Sequence, residues 1–188
     1  MVFEESFSVA PMMEWTDRHC RYFHRLLSSS AVLYTEMISA DALIFGPRHN
    51  LLVFNNEELP CVLQLGGNDP KKLALAAQYG QDYGYSKINL NIGCPSNRVQ
   101  SGAFGACLMK DPKLVAECVK TIQNNCQIPI TIKCRIGVDD MHTVQGLDNF
   151  VDEVSEAGVK LFVIHARKAL LNGLSPKQNR EIPPLDHN

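Results

Sequence analysis

Cys94 closes the run Lys87-Ile-Asn-Leu-Asn-Ile-Gly-Cys-Pro95, a strand pattern stopped abruptly at Gly93-Cys94-Pro95. A thiol at the C-terminal lip of a strand, just after the inward-capable Asn89 and Asn91, can hand one proton to a bound substrate. An ordinary thiol, with a pKa near about 8.5, is still protonated at neutral pH. The same residue also makes a good small core side chain, and the motif alone leaves both readings open. Gln64 follows Pro60-Cys-Val-Leu and precedes Leu65-Gly-Gly. Its amide donates and accepts together, which suits a flat heterocycle with alternating N–H and C=O edges, or a loop cap. Lys133 ends Pro129-Ile-Thr-Ile. An ammonium there must meet an anion or water, because an unpaired buried charge is costly. It can offset negative charge on a reduced cofactor, form an imine with a carbonyl substrate, or snorkel to solvent. His165 ends Leu161-Phe-Val-Ile with Arg167 two residues on, a good place for a ligand or an acid. Glu36, in Leu33-Tyr-Thr-Glu-Met37, serves equally well as a partner for a cation inside a barrel. The loop Ser101-Gly-Ala-Phe-Gly-Ala-Cys107 is a weak phosphate cradle; its glycines suit a chain packed close beneath the site.

The elements that must position these residues alternate along the chain. Short apolar runs cover residues 7–10, 32–36, 61–65, 87–92, 130–133 and 161–165. They lie about 25 to 45 residues apart, the spacing of βα units. Thr16-Asp17 opens a helix reaching about Leu27. Asp69-Pro70 and Asp111-Pro112 are each an N-cap followed by proline at the first helical position. An amphipathic segment at 144–157 ends at Gly158, a suitable C′ residue. Residues 172–188 read as a polar loop. Several runs are nearly apolar throughout, as in strands buried on both faces. The class is therefore α/β with a parallel sheet, either doubly wound or a (β/α)8 TIM barrel. No Gly-x-Gly-x-x-Gly follows the first strand, which weighs against a dinucleotide-binding sheet. Polar residues end nearly every run: Pro11-Met12-Met13, Glu36, Gln64, Asn91 to Cys94, Lys133 to Arg135 and His165 to Arg167. In a barrel those ends converge on one face, where the chemistry occurs. About six of eight βα units are present, against roughly 250 residues for a complete barrel.

Composition narrows the classes. The chain has 188 residues, 45% hydrophobic and 20% charged, and this excludes disorder. No apolar run is as long as a bilayer span, so no membrane partner is expected. Residues 1–6 lack the basic-then-apolar pattern of a secretory leader. The seven cysteines are odd in number and form no Cys-x-x-Cys pair, so neither a disulfide framework nor a metal site is expected, and a cytoplasmic setting is. The net charge of −2 gives no general basic field, and contact with RNA must come from local patches.

Asn89-Leu-Asn-Ile-Gly-Cys-Pro-Ser96 with Ser101-Gly-Ala-Phe-Gly-Ala-Cys-Leu-Met109 resembles the signature of the tRNA-dihydrouridine synthases. The stretch from Ile164-His-Ala-Arg to Pro184-Leu185 is similar to the bacterial A-type members, and the resemblance runs from Phe7 to the last residue. It implies a barrel that binds FMN and reduces uridines 20 and 20a of the tRNA D-loop, with NADPH as the electron source. Under it, Pro11, Met12 and Met13 line the flavin, while Gln64, Lys133 and His165 contact its ring system. Cys94 gives the proton, Asn91 faces the base, and Lys177 and Arg180 touch tRNA. The chemistry is consistent, since reduction of the uracil C5=C6 bond needs a hydride that no side chain delivers unaided. The family's pattern continues past Asn188 through two more strands, which bear the phosphate loops, and a helical tRNA-binding domain. The chain alone is therefore expected to bind FMN poorly and to have little or no synthase activity unless another chain completes it. Two alternatives stay open: a barrel aldolase using Lys133, and a non-catalytic fragment that binds only tRNA or a complementary chain.

Overall fold

Two Asp-Pro openings begin helices as the sequence requires. Asp69 accepts from the backbone N–H groups of Lys71 and Lys72, and Asp111 from that of Leu114. The computed structural model describes residues 7–187; residues 1–6, read above for a leader, and Asn188 lie outside the described residues. The chain runs β1 (Ser8–Val9), α1 (Arg18–Leu27), β2 (Val32–Tyr34), β3 (Ile38–Ser39), α2 (Ala40–Phe45), α3 (Arg48–Leu52), β4 (Cys61–Gly66), α4 (Pro70–Asp82), β5 (Lys87–Ile92), α5 (Asn97–Ser101), α6 (Pro112–Asn125), β6 (Ile130–Arg135), α7 (Thr143–Glu156), β7 (Phe162–His165) and α8 (Gln178–Glu181). Short 3-10 segments occupy Asn56–Glu58 and Gly105–Lys110.

The sheet is parallel, in the order β1-β2-β4-β5-β6-β7, with β3 pairing beside β4. Strand order follows chain order without the reversal that marks a doubly wound sheet. The strands form a curled arc of a (β/α)8 barrel, with β1 and β7 at its edges. Alternation along each strand divides the two faces. Leu63, Leu65, Ile88, Leu90, Ile92, Ile132 and Cys134 point outward, all at most 3% exposed, into the core that α4, α6 and α7 cover. Each large apolar side chain there contributes about 1.5–3 kcal/mol. The inner face carries Gln64, Asn89, Asn91, Thr131, Lys133, Arg135 and His165. Strands β4, β5 and β6 are largely buried on both faces, as their nearly apolar runs suggested, and the polar members of each run all point to one side.

The segment 144–157 forms α7, and Gly158 follows it at φ +106°. Helix α1 starts at its Asp17 cap and turns Arg21 inward to Glu58 at 2.6 Å, both side chains being almost fully buried. Residues 172–188 are not wholly loop, since α8 lies there and its Asn179 is completely buried. Helices α2, α3 and α5 and strand β3 were not legible, each being too short to establish a period. No helix among the described residues is long and apolar enough to cross a membrane.

Candidate active site

Strand register alone assembles the inner face. Gln64 pairs with Asn89 and Asn89 with Thr131; Asn91 pairs with Lys133; Arg135 pairs with His165. Side-chain hydrogen bonds reinforce these rows. Gln64 Nε2 donates to Asn89 Oδ1 at 2.8 Å, and Asn89 Nδ2 to Thr131 Oγ1 at 2.9 Å. Asn91 Nδ2 donates to Gln64 Oε1 at 2.9 Å. This crosslinked ladder fixes which end of each amide faces the barrel interior.

Cys94 sits at the upper end of that ladder. Asn91 Oδ1 accepts from the N–H groups of Gly93 and Cys94, at 3.1 and 2.9 Å, and so sets the turn that lifts the thiol to the lip. The Cys94 carbonyl accepts from Ala106 N–H at 2.9 Å, which closes the 101–107 loop beneath it. Gly105 makes that approach possible: it has φ +75°, and a Cβ would stand 2.6 Å from the Cys94 carbonyl oxygen. The glycines of this loop therefore pack it under the site, as their spacing suggested. The half-buried Cys94 Sγ contacts Ser96 Oγ at 3.4 Å. Gln100 Nε2 bridges the carbonyls of Pro95 and Leu171, at 2.8 and 2.7 Å, tying this loop to the one after β7.

The cations gather beside it. Lys133 is half-buried and has no hydrogen-bond or ion-pair partner among the described residues; burial, then Arg135, lowers its pKa. His165 is pushed down to about 4 by burial and by the charges of Arg135, Lys133, Arg167 and Arg180, so its imidazole is neutral at physiological pH. Lys177 and Arg180 are exposed on the tail, and the charge of Arg180 reaches both Arg135 and His165. Gln64, Asn91, Cys94, Lys133 and His165 therefore share one face and one end of the sheet. Pro11 and Met12 are half-buried on the turn after β1, whereas Met13 is exposed at the rim.

Two residues here had no assigned role in the sequence reading. Arg135 is 4% exposed, donates through Nε to the Gly93 carbonyl at 3.2 Å and through Nη1 to the Asn179 carbonyl at 2.9 Å, and burial lowers its pKa to about 10. Its place two residues after Lys133, on the same strand face, was the available signal. Asn179 clips the tail: its Oδ1 accepts from Leu170 N–H at 2.8 Å and its Nδ2 donates to the Leu170 carbonyl at 2.9 Å. No sequence pattern marked it.

A sequence model of the family described as dihydrouridine synthase (Dus) matches residues 8–188. The chain belongs to this family. A tRNA-dihydrouridine(20/20a) synthase of Vibrio cholerae is 58% identical over 181 residues, covering 96% of this chain and 55% of that protein. One of Xanthomonas axonopodis pv. citri is 59% identical over 178 residues, covering 95% and 53%. The chain thus spans about half the length of these relatives. Among solved structures, the carboxyl transferase domain from Rhizobium etli pyruvate carboxylase superposes with TM-score 0.50 at 15% identity, over 86% of this chain and 25% of that one. Pyruvate carboxylase T882A from the same organism gives TM-score 0.51 at 15% identity, over 78% of this chain and 14% of that one. That likeness concerns the fold alone. In this dihydrouridine synthase chain, the Gly93-Cys94-Pro95 turn is tied by Arg135 to the strand that bears Lys133 and pairs with that of His165.

Proposed function

We propose that this chain carries the catalytic face of a flavin-dependent tRNA-uridine reductase, acting at D-loop positions 20 and 20a. The observation that carries the reading is the fastening of the Cys94 turn, by Asn91 and Arg135, to the strands that present Gln64, Lys133 and His165.

The residues present fit FMN. A half-buried ammonium facing a polar interior with no partner of its own favours an electron-rich heterocycle at Lys133. Gln64, Lys133 and His165 would hold the ring system, and Pro11, Met12 and Met13 would border it. When bound, the flavin supplies the hydride for uracil C6, with NADPH as the electron source. The protein's own residues do the rest. Cys94 holds a proton on Sγ at the lip and gives it to C5, and the S–H bond breaks as the C–H bond forms. Asn91 keeps that sulfur in place through the Cys94 backbone and lies where the base would sit. Lys133 stabilises negative charge that develops beside it. Neutral His165 offers a ring N–H without adding to the local positive charge. Lys177 and Arg180 contact the tRNA backbone, and the uridine must leave its stack to reach the recessed surface.

The test is mass-spectrometric mapping of dihydrouridine in tRNA from a synthase-null host expressing this chain or its Cys94→Ala variant. With a second chain supplying the further strands and the tRNA-binding domain, the unaltered chain should form dihydrouridine at 20 and 20a and Cys94→Ala should lose about 10²–10⁴-fold in rate; the chain alone should form little or none. Unaltered protein that carries stoichiometric flavin yet leaves both uridines unreduced would overturn the reading.

A further inference from the structure

Beside the Cys94 surface lies a cavity of about 560 Å³, of whose lining the chemistry above uses Met13 alone. It opens on the same lip. Glu36, just past β2, forms one wall, and Arg98 and Phe104, from the segment that follows Cys94, form another. The Phe104 ring packs so close to Gly66 that a Cβ there would meet it at 2.7 Å. Gly66 ends β4 two residues after Gln64, so the cavity is an immediate neighbour of the proposed site.

Resting on the reading just given, we propose that this cavity is a second nucleotide subsite, filled by the ribonucleotide that adjoins the reacting uridine in the RNA strand. The size suits such a ligand, since small-molecule pockets run to about 300–1,000 Å³. The polar lining specifies it further. Arg18 and Arg98 border the cavity, are exposed and have no ion pair among the described residues; Arg18 Nε meets only His19 Nε2, at 3.4 Å. Arg21 is already matched by Glu58, and Asp41 by Lys72 at 2.8 Å. The remaining carboxylates, Asp17 and Glu36, each accept one backbone N–H, from Cys20 and Glu14 respectively, and keep further lone pairs. Guanidinium donors beside carboxylate acceptors disfavour a bare phosphate but match a ribose phosphate. The phosphodiester meets Arg18 and Arg98, and the 2′-hydroxyl donates to a carboxylate. The apolar wall of Met37, Ile38 and Phe104 receives the base. NADPH shares this ribose-phosphate chemistry, so the two sources must be separated by experiment.

The decisive measurement is binding of an unmodified tRNA transcript, across a salt series, to the full chain and to its Arg18→Ala/Arg98→Ala variant, with NADP⁺ binding measured in parallel. The exposed Lys113→Ala variant is the control. The double variant should bind the transcript about tenfold more weakly and lower the slope of log K against log salt by about two charges, while NADP⁺ binding stays unchanged. An Ala42→Phe variant, which fills the cavity without altering charge, should weaken transcript binding at an unchanged slope, provided that its circular dichroism melt matches the parent. A double variant that binds the transcript as the parent does overturns this subsite and leaves the proposed function standing. Loss of NADP⁺ affinity with transcript affinity retained assigns the cavity to the reductant and also overturns it. No transcript binding by the unaltered chain would remove both readings.

Discussion

Arg135 Nε donates to the carbonyl of Gly93 at 3.2 Å, so the residue before Cys94 is fastened to the strand that bears Lys133. The same guanidinium reaches the Asn179 carbonyl at 2.9 Å. One buried cation thereby joins the thiol turn, β6 and the tail that presents Arg180. Its donors satisfy carbonyls rather than a carboxylate, which keeps its positive charge uncompensated beside His165 and Lys133.

Replacing that fork should loosen all three pieces together. Arg135→Met leaves the Gly93 and Asn179 carbonyls without their donor and should cost about 2–4 kcal/mol. Arg135→Lys keeps the charge but cannot reach both carbonyls in one geometry, and should fall between. Urea unfolding measures the loss, and limited proteolysis should cut first within residues 172–187. A variant with unchanged stability and an intact tail would show that α8 is held without Arg135.

Asn91 has two separable duties. Asn91→Asp retains an acceptor for the Gly93 and Cys94 N–H groups but loses the donor to Gln64. Asn91→Leu loses both and should destabilise by about 1–3 kcal/mol. The expected order of dihydrouridine formation is parent, then Asp, then Leu, read as single-turnover rates. Equal rates for Asp and Leu would mean that the backbone of the thiol turn holds its shape without a cap.

Gly105 and Gly173 both have positive φ, +75° and +82°, but only Gly105 has neighbours at its Cβ position. Gly173→Ala should cost about 1–2 kcal/mol through backbone conformation alone. Gly105→Ala adds contacts at 2.4 Å to Val99 Cγ1 and 2.6 Å to the Cys94 oxygen. It should cost more and also depress the reaction rate by displacing residue 94. Thermal melts and rates on the pair separate the two effects; equal losses in both would mean that the loop yields without moving Cys94.

Much of this surface was legible because parallel strands impose order on sequence. Once residues 61–65, 87–92, 130–133 and 161–165 are strands in chain order, Gln64, Asn91, Lys133 and His165 must share one end. What escaped was non-periodic. Arg135 looked like strand punctuation because nothing in Ile130-Thr-Ile-Lys-Cys-Arg135 says that its partners are carbonyls from residues 93 and 179. Asn179 lies in a polar stretch ordered in part by its buried amide, a contact without period.

The depressed titration of His165 gives the last prediction. Its folded value is about 4, against an ordinary value of 6.5, because burial and the charges of Arg135, Lys133, Arg167 and Arg180 oppose protonation. Between those values the unfolded chain binds a proton that the folded chain does not. Acidification through that window therefore favours unfolding, and the stabilising contribution present above pH 6.5 is lost as pH falls toward 4. His165→Asn should remove up to one proton's worth of slope from stability against pH in this interval. Arg167→Ala and Arg180→Ala should each raise the imidazole value toward 6.5. An NMR titration of the ring protons reads this directly. A value near 6.5 in the parent would mean that the cations around His165 are screened by solvent, and the imidazole would then be partly charged at neutral pH.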